Sequence, residues 1–117
     1  RTKEYFANAK MERQKKRDEA TDIIRKTLSE GNVSEQTKSD ITKQTEEIAK
    51  ATQQESNIEN IIKAKGFGDC MVFIQNGECS IIVNPGSLND SSVITIRDIV
   101  SGQSGIAFDR IKITEAK

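Results

Sequence analysis

The chain has 117 residues, enough for one domain with an arm and too few for two well-filled cores. Charged residues make up 31 % and hydrophobic residues 34 %, a low apolar share that leaves some helix without a core to cover. Eighteen basic and eighteen acidic groups cancel, so there is no general attraction to nucleic acid or anionic lipid, and the lack of histidine removes the usual general base and the commonest metal ligand.

Residues 1–29 read as a helix. Tyr5, Phe6 and Ala9 form one apolar spot, and Ala20, Ile23, Ile24, Thr27 and Leu28 form a stripe at steps of three and four. Between them, Lys10–Glu19 is polar nearly all round and leans on charge pairs such as Glu12–Lys16. Its basic run reads as a solvated helix face, or as a surface for a membrane or an acidic partner. Residues 1–30 hold nine basic and six acidic groups, a surplus that the rest of the chain offsets. The helical pattern is already under way at Arg1, so the chain is expected to be a fragment that continues upstream.

Gly31-Asn32 closes this helix, and Asn32 or Ser34 can cap the next, over 34–65. Its apolar positions are Ile41, Ile48, Ala51, Ile58, Ile61 and Ile62, a thin seam until Ile58, which Glu55 interrupts. Gly66 ends it. Asn76-Gly77 then sits between two apolar runs, the strongest short-range hairpin signal, over 69–84. A two-residue loop sets Ile74 opposite Cys79, Val72 opposite Ile81 and Cys70 opposite Val83, an all-apolar core face. Met71, Phe73 and Ile82 fall on the other, mixed face. Over residues 89–101, Val93–Ile96 has strand-like composition, but Val93, Ile96 and Val100 share one helical face behind a capping Asn89 or Asp90, so a helix is expected. Gly102-Gln103-Ser104-Gly105 is a break, and 106–114 a last strand whose parity shift marks a bulge near Asp109-Arg110 or a start there.

The order α-α-β-β-α-β predicts an α+β fold: a helical arm, 1–33, and a KH-like α-β-β-α-β domain, 34–117, with a three-stranded antiparallel sheet. Because Cys70–Ile74 is apolar throughout, it is expected at the centre, which makes Glu78–Asn84 an edge strand. Cys70 and Cys79 stand roughly 13 Å apart along the strands, too far for a disulfide, so both are expected to be free and buried. No nucleophile stands with a base, and no carboxylate pair or metal-ligand spacing recurs, so no enzyme, cofactor or metal site is expected. Ser80, Ile81, Ile82 and Val83 on the uncharged edge, with Tyr5 and Phe6 on the arm, are the candidate partner-binding residues, by strand addition or sheet packing. Two other readings stand beside this one. Gly102–Gly105 matches the G-x-x-G of KH nucleic-acid binders, though it falls between a helix and a strand. Residues 1–65 could also form a dimeric coiled-coil adapter.

The runs Glu4-Tyr5-Phe6, Arg17-Asp18-Glu19-Ala20 and Ile58-Glu59-Asn60-Ile61-Ile62-Lys63-Ala64-Lys65-Gly66-Phe67 resemble the extracytoplasmic part of the stage III sporulation protein AH family. The resemblance implies a ring-building-motif domain akin to those of type III secretion ring proteins, with Val93–Val100 helical. It implies a membrane anchor upstream of residue 1, in the mother-cell membrane. The soluble part would lie in the space between mother-cell and forespore membranes. The partner it implies is stage II sporulation protein Q, in a ring-forming, channel-like hetero-oligomer that aids engulfment, with no nucleic acid and no catalytic residues.

Overall fold

A computed structural model describes residues 1–117. Helix α1 spans Thr2–Ser29 and α2 spans Glu35–Ala64. Between them Gly31 and Asn32 both adopt left-handed φ, at 70° and 47°, and reverse the chain. Ser34 caps α2, its hydroxyl accepting from the Thr37 N–H at 3.1 Å. The hairpin strands are β1 (Cys70–Gln75) and β2 (Glu78–Val83), joined by Asn76 and Gly77 at φ 54° and 76°. Two positive φ values in a two-residue loop fit the right-handed twist of the strands, and every pair expected from the turn is present, from Gln75–Glu78 to Cys70–Val83.

Helix α3 covers Asp90–Ser104 behind a capping box in which Asn89 accepts from the Ser92 N–H and Ser92 Oγ accepts from the Asn89 N–H. It runs through Gly102 and stops at Gly105, whose φ is 75°. The break expected from Gly102 therefore comes three residues later. Strand β3 is Ile111–Glu115, entered from a 3-10 turn over Phe108–Arg110. The parity shift marks the true start of the strand rather than a bulge within a longer one.

The sheet departs from expectation in two ways. Its order is β1-β2-β3, with β2 and not β1 in the middle. It is mixed: β1–β2 is antiparallel and β2–β3 is parallel. After β2, α3 carries the chain back across the core face to the level where β2 began, so β3 must run in the same direction as β2. Along the far edge of β1, side chains from both long helices already occupy the Val72 N–H and carbonyl and the Ile74 N–H, so β3 cannot pair there. The unbroken apolar run of β1 reflects cover on both faces, not a central place.

The core face gathers Ile58 and Ile62 of α2, Cys70, Val72 and Ile74 of β1, Cys79, Ile81 and Val83 of β2, Ile96 and Val100 of α3, and Ile111 of β3. On the opposite face a small second cluster joins Phe6 of α1 with Met71 and Ala116, flanked by Tyr5, Phe73 and Ile82. Met71, Phe73 and Ile82 are apolar because α1 lies over that face, its first turns on the Phe6 cluster and Lys16 and Arg17 over Phe73. Beyond the sheet the two long helices run on together. Ala20, Ile24, Ile41 and Ile48 are only half-buried between them, while Ile23 and Leu28 are exposed. The molecule measures 53 × 30 × 21 Å with a radius of gyration of 16.3 Å, against about 13 Å for a compact chain of this size.

Candidate functional site

Where α1, α2 and β1 meet, ionisable side chains converge. Glu55 and Glu59 lie one turn apart on the face of α2 that also carries Ile58 and Ile62, and both are buried. Four helical residues rise about 6 Å, nearly the length of two strand residues. A helix lying antiparallel along an edge strand can therefore set two carboxylates opposite two outward N–H groups. Glu59 accepts from the Val72 N–H at 3.0 Å and Glu55 from the Ile74 N–H at 2.8 Å. These groups would otherwise pair with another strand.

Two buried carboxylates would be costly alone. Arg13 and Arg17, also one turn apart, reach across from α1. Arg13 donates to Glu59 at 2.7 Å and to the Val72 carbonyl at 2.5 Å. Arg17 grips Glu55 with two parallel hydrogen bonds of 2.5 and 2.6 Å. Lys10 extends the row to Asp69 at 3.7 Å, where Lys63 of α2 also arrives at 3.8 Å. Over the Phe73 ring stand Lys16 at 5.4 Å and Arg17 at 5.7 Å from the centroid. The arm is thus bolted to the sheet by an arginine–glutamate lock that also blunts the β1 edge.

Past this lock the helices part from the hairpin tip and leave a cleft of about 510 Å3. Phe73 and Ile74 line one side of it, Ala20 and Ile48 another. The tip itself is held from the 3-10 turn that leads into β3: Arg110 donates to the carbonyls of Gly77 at 3.0 Å and Asn76 at 3.4 Å. At the other end of the sheet the Glu115 carboxylate accepts from the Gly86 and Leu88 N–H groups, fixing the loop into α3.

Both cysteines are buried free thiols at opposite ends of the hairpin. Burial, reinforced by the Glu59 carboxylate beside Cys70 and the Glu55 carboxylate beside Cys79, pushes both up to about 12. Neutral and enclosed, they behave as small apolar side chains.

The six residues singled out for partner binding are divided by the fold. Phe6, Ile81 and Val83 are packed inside, with no more than 2 % of their surface exposed, while Ser80 is exposed and Tyr5 and Ile82 are half-buried. Strand addition on β2 is overturned by the topology, since β2 has a neighbour on each side. Gly102–Gly105 forms the end of α3 rather than a clamp loop between helices. The lock itself escaped the sequence reading. Glu55 looked like a flaw in an apolar seam, and Arg13 and Arg17 looked like solvated charge. Their matched spacing, two arginines four apart on one helix and two glutamates four apart on its neighbour, was the available signal.

The architecture places the chain in the class of α-β-β-α-β ring-building domains carrying a helical extension. It aligns with a chain of the SpoIIQ–SpoIIIAH pore-forming complex at TM-score 0.82 and 17 % identity, over 95 % of this chain and 96 % of that one. The type III secretion system protein EscJ of enteropathogenic E. coli aligns at TM-score 0.51 and 22 % identity, over 61 % of this chain and 50 % of EscJ. At these identities the likeness is one of fold. The model of the SpoIIIAH-like protein family matches residues 1–113, and the chain belongs to that family. No curated protein sequence matches it.

Proposed function

We propose that this chain is a structural component of a channel or zipper complex between mother cell and forespore. In this reading residues 1–33 act as an arm on the ring-building domain 34–117, and the partner is stage II sporulation protein Q, met across the intermembrane space. The observation that carries the proposal is membership of the SpoIIIAH-like family over 1–113, joined to a fold shared end to end with a chain of a pore-forming complex. The local chemistry supports it: the two most buried carboxylates are each spent on a backbone N–H and an arginine, which serves rigidity rather than turnover. No helix is long and apolar enough to cross a membrane. Tyr5, Ser80 and Ile82 retain surface for a partner by sheet-face packing.

The test is co-elution of the purified chain with the soluble domain of stage II sporulation protein Q across a range of salt. A stable complex is expected. Two proteins that elute separately at every salt concentration refute the partner assignment. Ser80→Arg, on an exposed position, should weaken the complex without altering the melting temperature.

A further inference from the structure

The cleft beyond the lock has the features of a peptide site. Along the outer edge of β1, the Val72 N–H, the Val72 carbonyl and the Ile74 N–H are each taken by a side chain. In a strand the N–H and C=O of one residue point to the same side. The Ile74 carbonyl therefore faces outward as well, but no side chain donates to it, and Ile74 lines the cleft. The edge is sealed up to this group and open from it onward. Phe73, half-buried, offers a ring wall at the same place, with Ile48 and Ile106 nearby. The volume of about 510 Å3 falls within the roughly 300–1,000 Å3 of ligand pockets.

Charge selects the occupant. Three cations line the cleft, Lys16, Arg17 and Lys50, against one acid, Glu47. Arg17 is committed to Glu55, which leaves two ammonium groups to attract carboxylates. The chain's own ends do not fill it, because Arg1 and Lys117 line a separate depression together.

We propose that this cleft binds a short extended segment of a partner protein in which acidic and aliphatic residues alternate. One N–H of the segment donates to the Ile74 carbonyl. An aliphatic side chain rests on Phe73 and Ile48, and the flanking carboxylates meet Lys16 and Lys50. The backbone bond anchors the segment at the end of the β1 edge, and the ammonium groups discriminate against basic sequences.

The probes are acetyl-Asp-Leu-Asp-Leu-amide and acetyl-Lys-Leu-Lys-Leu-amide, titrated at millimolar concentration into the whole chain and followed by amide NMR shifts. The acidic peptide should move the amides of Ala20, Ala51, Gln75 and Asn76, and the basic peptide should not. Lys50→Glu, on an exposed position, should raise the dissociation constant at least threefold with an unchanged melting curve, and Lys16→Glu with Lys50→Glu should raise it at least tenfold. No shift with the acidic peptide, equal shifts with both peptides, shifts confined to another surface, or unchanged affinity in the double variant would each overturn the assignment. Shifts of the same amides on concentrating the chain alone would place a second copy in the cleft and overturn it too. The assay uses no component of the proposed channel, so its failure and the failure of co-elution are separate results.

Discussion

Glu55 is 2 % exposed and holds the guanidinium of Arg17 and the N–H of Ile74, with Arg13 a further charge at 3.5 Å. Truncation by Glu55→Ala leaves the Ile74 N–H without an acceptor and breaks the pair with Arg17 from one side, a loss of about 3 kcal/mol. Urea unfolding should register that loss, with Glu55→Gln less damaging because its side-chain oxygen still accepts from Ile74. The cysteines give a second prediction at this scale. Their thiols keep their protons in the fold up to about pH 12, against an ordinary value of 9.0. The unfolded chain forms thiolates first, so their contribution to stability is intact below about pH 9 and lost as pH rises toward 12. The double variant Cys70→Ala, Cys79→Ala should show a shallower fall in urea midpoint across that window. A thiol reagent at pH 8 should leave native protein unlabelled and modify both cysteines once urea is added.

At the scale of elements, the hairpin was legible because its information is local. Asn76-Gly77 dictates two positive φ values, and those dictate the register. Gly77→Ala, at φ 76°, should destabilise the chain by about 1–2 kcal/mol in thermal melts. Helix α3 was legible from its cap and the spacing of Ile96 and Val100. The sheet order was not, because an apolar run records only that a strand is covered, not by what. Cover from α1 on one face and from α2 and α3 on the other gave β1 the composition of a central strand. The lock was hidden for a related reason. A buried charge reads as a solvated one until its partner, 38 residues away for Arg17 and Glu55, is placed beside it. The two halves of α2 differ accordingly. Hydrogen exchange should be fast over 35–50, where the seam is thin, and slow over 55–64, where the helix lies on the sheet.

For the whole molecule, the helical pair standing off the sheet explains both the length of 53 Å and the low apolar content. A helix pair that buries few side chains needs few, and the surplus of charge keeps it soluble. The pair is fixed at its base by the lock, so Arg13→Ala with Arg17→Ala should loosen the arm as a unit. Small-angle scattering should then give a radius of gyration above 16.3 Å. An unchanged radius would mean that the Phe6 cluster alone is enough to seat the arm.

That cluster joins Phe6 and Ala116 through Met71, so the chain begins and ends at one spot, far from the Gly31-Asn32 reversal. The covalent link between α1 and α2 is therefore dispensable for holding the arm in place. A circular permutant opened at 31–32, with a short glycine linker from Lys117 to Arg1, should fold to the same shape. In the natural order of the chain, a pull applied at Arg1 would meet the sheet at Phe6 and the lock before it reached the bend, leaving the outer half of the helical pair unloaded.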